Sequence, residues 1–481
     1  MRIVMIGAGY VGLVSAACLA DLGHEVVCVE VDETKVAALK KGRIPIYERG
    51  LSELVLANQS ASRLSFTANL NDAARAAHAI FIAVGTPALG EVGSADMRYV
   101  YDAARDIASV IEDFTVIVVK STVPIGACDD VERIIGERVP RNRFAVVSNP
   151  EFLREGAAIE DFNQPDRVVI GVEDERARLV MAEIYEPLSS VRASILYTSR
   201  RSSEMIKYAA NVFLAMKVTF INEIADLCER VDADVLEVSR GVGLDSCIGP
   251  KFLTPGSGFG GSCFPKDTLV LTKFAREAEA PIRLVETLVE VNEARMAAMA
   301  RKVIAACDGS VVGKRIAVLG LTYKPGTDDM REAPSLVIVP KLQAAGAQIV
   351  AYDPAGMRTA RSLLPGVQLA EYAYDCVEGA DAAVVITEWD EFRALDLKRV
   401  RAALNQPIMV DLRNIYSIET MRSLGFRYFC IGRGFRYDER SAHPQVQEFS
   451  SRGVSRTARE DRPDAELSMP YSGDWTRIGI T

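Results

Sequence analysis

Residues 1–12 of the chain read MRIVMIGAGYVG, and this stretch decides the fold of its first part. A short apolar run leads into Gly7, Gly9 and Gly12, and an apolar helical pattern follows at once. Glycines at this spacing permit a tight turn and let the backbone approach a pyrophosphate, while the amino terminus of the helix attracts the phosphate charge. The stretch therefore predicts a strand, a phosphate-binding turn and a helix, which together open a dinucleotide-binding α/β domain.

Glu30 indicates which dinucleotide the turn would bind. It stands at the end of the predicted second strand, where an acid hydrogen-bonds the ribose hydroxyls and repels a 2′-phosphate. NAD is therefore favoured over NADP, although Lys35, five residues further on, would act against that preference. An α/β domain whose glycine turn binds no ligand is the structural alternative.

The spacing of apolar runs divides the chain into regions. In residues 1–197, short β-branched runs such as HEVVCVEVD, AIFIAVGTP and TVIVVKSTV alternate with helical stretches, which is typical of βαβ units and a parallel sheet. We expect the run DRVVIGV at 166–172 to complete this domain. Residues 198–312 are mostly helical, with one long helix and a second between Thr198 and Val242.

Strand patterns restart at Lys314 with KRIAVLGLTYKPG, and they continue in a second α/β unit over residues 313–434. Its first turn, GLTYKPGTDD, suggests a nucleotide-like ligand without a second dinucleotide site. Residues 435–481 are polar and aperiodic, so we expect a loosely ordered tail there. The predicted fold class is α/β, with two Rossmann-like doubly wound domains joined by a helical middle domain.

Composition excludes several classes of protein. The 481 residues carry a net charge of −9, which argues against nucleic-acid binding as the main activity. No apolar run approaches the roughly 20 residues that a membrane-spanning helix needs, and the amino terminus has no signal-peptide pattern. The nine cysteines show no CxxC spacing, and the three histidines have no partner at metal-ligand spacing. We therefore expect a cytosolic protein with reduced thiols, no metal and no membrane partner.

The segment GFGGSCFPKD at 258–267 combines Cys263 with glycines, Lys266 and Asp267. Glycines let the backbone approach a substrate, a nearby cation favours the thiolate, and a carboxylate can serve as a base. Taken alone, the pattern leaves open a buried structural cysteine, which is the usual fate of this residue type.

Six motifs in order give the chain a wider resemblance. GAGYVG at 7, VGTP at 84, KSTVPIG at 120, NPEFLREG at 149, GFGGSCFPKD at 258 and YKPGTDDMRE at 323 resemble those of the UDP-glucose dehydrogenase family, over residues 1 to about 434. The resemblance implies an NAD-binding first domain, a helical middle that carries a dimer interface, and a last domain that holds uridine diphosphate. It also implies oxidation of UDP-glucose to UDP-glucuronate, with two NAD per sugar.

The resemblance assigns catalytic roles residue by residue. Cys263 matches the nucleophile, Asp267 an acid or base beside it, and Glu151 a carboxylate near the reacting carbon. Lys207 and Asn211 match groups that stabilise the developing alkoxide, and Thr122 and Glu155 match groups that position water and contact the cofactor. Independently, Glu204, Lys207 and Asn211 fall on one face of the long helix, although an isolated helical lysine is more often solvated.

Binding contacts are implied in the same way. Those expected for NAD are Gly7, Gly9, Val11, Gly12, Glu30, Lys35, Thr86, Thr122, Glu155 and Arg331. Those expected for the sugar nucleotide are Glu151, Phe152, Leu153, Arg154, Glu155, Lys207, Asn211, Phe252, Leu253, Thr254, Pro255, Gly256, Ser257, Gly258, Phe259, Gly260, Lys324 and Arg413.

One departure from the family pattern bears on the substrate. The stretch DSCIG places Cys247 where family members commonly have an arginine that reaches the sugar nucleotide of the neighbouring subunit. Related enzymes that act on GDP-mannose or UDP-N-acetyl sugars therefore remain alternatives. A non-catalytic sugar-nucleotide-binding protein is an alternative of another class, and so is a two-electron dehydrogenase, which would have no use for the thiol.

Overall fold

The computed structural model describes residues 1–89, 94–191 and 193–433. It contains two sheets of mainly parallel strands and a helical region between them in sequence, which confirms the predicted fold class. The tail expected at 435–481 lies outside the described residues.

The first sheet is built around the predicted first strand. Strands β1 to β4, β7 and β8 are parallel and lie in the order β3-β2-β1-β4-β7-β8, the arrangement of a dinucleotide-binding fold. The strands up to this point are β1 Arg2–Ile6, β2 Glu25–Val29, β3 Leu64–Thr67, β4 Ala79–Ile82, β5 Ala88–Leu89, β6 Ser94–Ala95, β7 Thr115–Val119 and β8 Phe144–Ser148. The short strands β5 and β6 form a separate antiparallel pair.

The far edge of this sheet differs from the prediction in two ways. Strand β9, Arg167–Gly171, pairs antiparallel with β8, so the sheet is not purely parallel. It also does not complete the domain, because β10, Ser194–Thr198, adds a further edge strand parallel to β9. The residues of β10 are largely half-buried or exposed, and its apolar signal is correspondingly weak.

Helices cover both faces of the first sheet. Ile3 and Met5 of β1 pack into one apolar cluster and Val4 and Ile6 into another, so that the sheet is buried on both sides. The helices are α1 Tyr10–Asp21, α2 Glu33–Lys40, α3 Leu51–Ser60, α4 Leu70–Ala74, α5 Arg98–Ala108, α6 Ala127–Gly136, α7 Ala158–Asn163 and α8 Glu175–Tyr185, with short 3-10 helices at Arg141–Arg143 and Glu186–Val191.

The middle region is helical, as predicted. Helix α9 runs over 32 residues, Arg200–Val231; the Ser199 side chain caps its start, and Asp232, in the left-handed conformation, ends it. The second predicted helix is α10, Val235–Gly243. Two further helices follow, α11 Phe264–Glu277 and α12 Arg283–Ala306, and both pack on α9.

The second sheet is fully parallel, in the order β13-β12-β11-β14-β15-β16. Its strands are β11 Arg315–Leu319, β12 Gln348–Tyr352, β13 Gln368–Leu369, β14 Ala382–Val385, β15 Ile408–Asp411 and β16 Arg427–Phe429. Its helices are α13 Ser335–Ala344, α14 Met357–Leu363, α15 Ala373–Val377, α16 Asp390–Arg393, α17 Leu397–Ala403 and α18 Ile418–Ser423. Among residues 1–89, 94–191 and 193–433, no helix is both long enough and apolar enough to cross a bilayer.

Candidate active site

The glycine turn between β1 and α1 has the geometry that the sequence predicts. Gly7 has a φ of +100°, and a Cβ there would lie 2.7 Å from the carbonyl oxygen of Ala83. A Cβ on Gly12 would lie 1.9 Å from the carbonyl oxygen of Gly7, so any larger residue would force the turn apart. Gly9 faces open space and caps α1 without a side chain, which leaves the amino terminus of the helix accessible to an anion.

Glu30 lies beside this turn and binds Lys35. Its carboxylate accepts hydrogen bonds from the backbone N–H of Ala8 at 3.3 Å and from the Lys35 ammonium at 2.7 Å. Burial opposes the charged form, but Lys35 and the neighbouring backbone N–H groups outweigh it and lower the pKa of Glu30. Because Lys35 is engaged by Glu30, it is not free to attract a 2′-phosphate. The turn and its acid therefore fit NAD.

Two further residues expected at the cofactor lie together at the carboxyl edge of the first sheet. The Thr86 hydroxyl, after β4, donates a 2.9 Å hydrogen bond to the backbone carbonyl of Thr122, after β7. Val11 lies in the first turn of α1 and is partly exposed. Among the hydrogen bonds of the described residues, none joins Thr122 to Cys263, Lys207 or Asp267.

Cys263 stands at the amino-terminal cap of α11 and is partly exposed. Of the other eight cysteines, seven are buried and Cys247 is exposed. Burial and the Glu151 carboxylate raise the pKa of the Cys263 thiol, while the Lys207 ammonium acts in the opposite direction. The helix terminus adds a field that favours a thiolate.

Lys207 and Glu151 form a buried ion pair next to this thiol. Lys207 Nζ lies 3.0 Å from Glu151 Oε1, and both side chains are almost fully buried. Burial alone would lower the pKa of Lys207, but the charges of Glu151, Cys263 and Asp267 raise it, so the ammonium stays protonated. The Lys207 ammonium also lies over the Phe152 ring, with Nζ 5.3 Å from the ring centroid.

Asn211 and Asp267 form the second polar pair of the cluster. Asn211 donates a 2.6 Å hydrogen bond to one oxygen of Asp267, and the Lys266 ammonium lies 2.8 Å from the other. Glu204, Lys207 and Asn211 are all buried on α9, which confirms the shared face predicted for them. The contacts of Glu204, however, are made elsewhere. Its carboxylate accepts hydrogen bonds from the backbone N–H groups of Gly126 and Cys128 at the start of α6, which anchors α9 to the first domain.

Glu155 connects three parts of the chain. Its carboxylate accepts hydrogen bonds from Ser262 beside the thiol, from Thr327 after β11 and from Arg331. Burial and the Asp329 carboxylate raise the pKa of Glu155. Arg331 is held mainly by Asp329, at 2.7 Å, so its guanidinium is oriented before any ligand arrives.

The loop of residues 252–260, expected to bind the sugar nucleotide, is mostly buried and is fixed by two asparagines. Asn222 of α9 accepts the backbone N–H of Gly256, and Asn292 of α12 bonds both the N–H and the carbonyl of Phe259. The Ser257 hydroxyl is buried and has no hydrogen-bond partner among the described residues. Rigid support with an unsatisfied hydroxyl suits a loop that hydrogen-bonds a ligand.

The remaining expected substrate contacts lie on the carboxy-terminal side and on the loop after β8. Burial lowers the pKa of Lys324, which also interacts with the charges of Glu155 and Cys263. Arg413 forms a bidentate ion pair with Glu388. Arg154 is half-exposed, and its guanidinium pairs with Asp161.

Glu48 was not predicted as a site residue. Its buried carboxylate accepts hydrogen bonds from the Tyr10 hydroxyl and from the backbone N–H groups of Gly156 and Ala158, at 2.6 and 2.9 Å. It thereby ties the glycine turn to the end of the 151–156 loop. The local stretch IPIYERG gives no sign of this, because Tyr10 lies 38 residues away and Gly156 and Ala158 lie more than 100 residues away.

Comparison with known proteins agrees with this geometry. Residues 1–189 match the model of the NAD binding domain of the UDP-glucose/GDP-mannose dehydrogenase family, residues 201–294 its central domain, and residues 317–418 its UDP binding domain. A UDP-glucose 6-dehydrogenase of Rhizobium meliloti (strain 1021) is 58% identical, and the match covers 90% of this chain and 100% of that protein.

Two other proteins extend the comparison. The UDP-glucose 6-dehydrogenase TuaD of Bacillus subtilis (strain 168) is 47% identical over 90% of this chain and 93% of its own length. The structure of a UDP-glucose dehydrogenase from the archaeon Pyrobaculum islandicum superposes with a TM-score of 0.81 at 38% identity, over 89% of this chain and 96% of that one.

Proposed function

The chain belongs to the UDP-glucose/GDP-mannose dehydrogenase family, and from that premise we propose that it oxidises UDP-glucose to UDP-glucuronate with NAD as acceptor. The observation that carries the proposal is the placement of Cys263 at a helix amino terminus, among Lys207, Glu151 and Asp267. Relatives with 58% and 47% identity named UDP-glucose 6-dehydrogenase support this substrate over GDP-mannose and UDP-N-acetyl sugars.

The first oxidation converts the primary alcohol to an aldehyde. NAD, when bound, supplies the hydride acceptor for each of the two oxidations. Asp267, held by Asn211 and Lys266, is the base that receives the alcohol proton, and the Lys207 ammonium stabilises the alkoxide as it forms. Because Lys207 stays protonated, its charge is available throughout the reaction.

The second oxidation uses the thiol. The Cys263 thiolate adds to the aldehyde carbon and forms a carbon–sulfur bond, and the resulting thiohemiacetal loses a hydride to become a thioester. Water then attacks the thioester, which releases the carboxylate and restores the thiol. Thr122, Glu151 and Glu155 are proposed to position that water and the reacting carbon.

The sugar nucleotide would be held by groups from all three regions. Lys324 and Arg413 are the cations suited to the diphosphate, and the buried 252–260 loop offers the Ser257 hydroxyl. We propose the division of the chain into an NAD-binding domain (1–197), a helical domain with the cysteine loop (198–312) and a UDP-sugar-binding domain (313–434).

The long helix also presents an apolar stripe that suits a homodimer. Its exposed members recur along one side of α9 over most of its length of about 48 Å; they are Met205, Phe213, Phe220, Leu227 and Val231. Exposed apolar patches of this length mark interaction surfaces. We expect Phe213→Glu with Phe220→Glu to halve the mass measured by light scattering, and an unchanged mass would exclude this interface.

We also propose that the protein works in the cytosol. All nine cysteines carry free thiols, which is typical of a reducing compartment, where disulfides are rare.

The deciding measurement is the number of NADH formed per limiting UDP-glucose, run beside GDP-mannose and UDP-N-acetyl sugars. Two NADH per UDP-glucose support the four-electron oxidation, and Cys263→Ser should abolish steady-state formation of UDP-glucuronate. One NADH per sugar, with activity retained in Cys263→Ser, would indicate a two-electron dehydrogenase. Turnover with another sugar nucleotide alone would reassign the substrate, and binding without any turnover would indicate a non-catalytic protein.

A further inference from the structure

Glu204 is a buried carboxylate on α9 that none of the proposed steps uses. Only 2% of the residue is exposed, and its two oxygens accept the backbone N–H groups of Gly126 at 2.6 Å and of Cys128 at 2.9 Å. Gly126 is the residue that caps α6, and it has no side chain with which to do so. Backbone N–H groups at the start of a helix have no partner within that helix. Glu204 of α9 therefore caps α6 from outside.

The segment in front of α6 belongs to the cofactor side of the site. We call residues 120–126, which join β7 to α6, the cofactor loop. The carbonyl of Thr122 accepts a 2.9 Å hydrogen bond from Thr86, and the Ser121 hydroxyl donates to the carbonyl of Val84 at 2.7 Å. Both threonines are expected NAD contacts. The loop is thus bonded in its middle to the segment after β4 and at its end to α9.

A second, apolar contact fixes the same end of the cofactor loop. Ile125 packs against a small core that lies between the helices of the middle region and includes Tyr208, the neighbour of Lys207 on α9. The other fully buried members come from α9, the 252–260 loop, α11 and α12; they are Val212, Ala215, Phe259, Val270, Leu271, Val285 and Leu288. The loop therefore meets α9 through one polar and one apolar contact at adjacent residues.

The face of α9 that holds the cofactor loop is also the face that carries the proposed chemistry. Lys207 lies three residues after Glu204, a rise of about 4.5 Å along the helix. Its ammonium pairs with Glu151 at 3.0 Å, and Asn211, one turn further, donates to Asp267 at 2.6 Å. A shift of α6 against α9 at Glu204 would therefore change the separation between the cofactor loop and Lys207.

We propose that Glu204 is a positioning residue for the reaction, whose carboxylate holds the cofactor loop at a fixed separation from Lys207. NAD on one side and the ammonium that stabilises the alkoxide on the other would then stay in register. Misplacing reacting groups by about 1 Å can lower a rate about 100-fold. The inference rests on the proposed role of Lys207, but its effect on the cofactor loop can be measured through NAD binding, without any sugar nucleotide.

The test compares Glu204→Ala with the parent in NAD binding, by fluorescence titration, and in steady-state kinetics. Releasing the end of the cofactor loop should weaken NAD binding about tenfold, which corresponds to about 1.4 kcal/mol. At saturating NAD, kcat should fall at least about tenfold. The KM for UDP-glucose should stay within about twofold, because Asn222 and Asn292 hold the 252–260 loop without Glu204. A purely structural role would lower the melting temperature and leave these constants of the folded enzyme unchanged.

Glu229→Ala is the matched control on the same helix. The Glu229 carboxylate accepts the Lys302 ammonium at 2.6 Å and the backbone N–H of Gly432 at 2.8 Å, so its removal also costs α9 two hydrogen bonds, near its other end. We expect Glu229→Ala to lower the melting temperature and to leave NAD affinity and kcat within about twofold of the parental values.

Two results would overturn the proposal. One is NAD affinity or kcat within twofold of the parent in folded Glu204→Ala; the other is an equal change in Glu229→Ala, which would indicate general loosening of α9. If Glu204→Ala does not fold, Glu204→Gln takes its place. Its amide oxygen can accept one of the two N–H groups, so the same changes should appear at smaller size, and unchanged NAD affinity would refute the proposal. Failure of the parent to oxidise UDP-glucose would refute the proposed function and leave the NAD titration decisive.

Discussion

Lys207 Nζ lies 3.0 Å from Glu151 Oε1, and the two side chains are 4% and 5% exposed. The pair joins the long helix α9 to the loop that follows β8, so it fixes the ammonium proposed to be catalytic to the first domain. A buried charge that loses its partner is left uncompensated, at a cost of about 3 to 5 kcal/mol. Position and charge state of Lys207 therefore depend on Glu151.

Replacing Lys207 should abolish most of the activity without affecting the glycine turn. We expect Lys207→Met to lower kcat by about 100- to 1,000-fold, which is the typical effect of removing one group that stabilises an oxyanion. The affinity for NAD, measured by fluorescence titration, should stay within about twofold. Lys217→Met is the control, since this lysine on the same helix donates to the carbonyls of Ile248 and Gly249. Activity above a tenth of the parental value in Lys207→Met would contradict the assigned role.

Glu48 should matter for both stability and substrate binding. Glu48→Ala would leave the Ala158 N–H and the Tyr10 hydroxyl without their acceptor, and it would leave the Gly156 N–H with only the Tyr10 hydroxyl oxygen, at 3.0 Å. Losing hydrogen bonds to a charged group costs about 1.5 to 3 kcal/mol. We expect a lower melting temperature, together with a higher KM for UDP-glucose because the 151–156 loop is released. Tyr10→Phe removes one of the three donors to Glu48 and the second acceptor of the Gly156 N–H, but both backbone N–H groups keep Glu48, so we expect a smaller change. A larger change in Tyr10→Phe would show that Glu48 does not hold the loop.

Much of the site was predictable from local sequence. The glycine turn, Glu30 and the shared face of Lys207 and Asn211 follow from spacing along one strand or one helix. Strand β10 was not predicted, because its side chains are only partly buried and its sequence therefore shows a weak apolar pattern. Glu48 and the anchoring role of Glu204 escaped it because their partners come from distant parts of the chain.

The side chains that support the 252–260 loop also could not be predicted from local sequence. Asn222 and Asn292 lie inside helices and look like ordinary polar positions, yet both are buried and bind the backbone of the loop. A helical pattern indicates which face is buried but not which backbone that face will meet. The residues proposed to do the chemistry were named from the family resemblance of their motifs, whereas those that hold them in place required the three-dimensional structure.

Lys120, a buried lysine directly after β7, should make the free energy of unfolding depend on pH. The pKa of Lys120 is about 8 in the folded protein, against 10.5 for an ordinary lysine. Between these values the unfolded chain binds more protons, so the parent gains stability as pH rises, whereas Lys120→Met cannot. The unfolding free energy of the parent, taken relative to that of Lys120→Met and measured by urea unfolding, should therefore rise by about 3 kcal/mol from pH 7 to above pH 10. A constant difference over this range would show that burial does not lower the pKa of Lys120.

The position of the Arg413 guanidinium should depend on Gly256 of the 252–260 loop, because the guanidinium lies against it. A Cβ on Gly256 would lie 2.4 Å from Nη1 of Arg413, whose guanidinium is already held by Glu388. Gly256→Ala must therefore displace the guanidinium and weaken a bidentate pair, so the proposed diphosphate contact is lost while Cys263 and Lys207 are untouched. We expect the KM for UDP-glucose to rise about tenfold, which is the effect of losing roughly 1.4 kcal/mol of binding, with kcat within twofold. Gly241→Ala, on α10 with open space at its Cβ, is the control and should change neither constant. A fall in kcat with unchanged KM in Gly256→Ala would place Arg413 in the chemical step instead of in nucleotide binding.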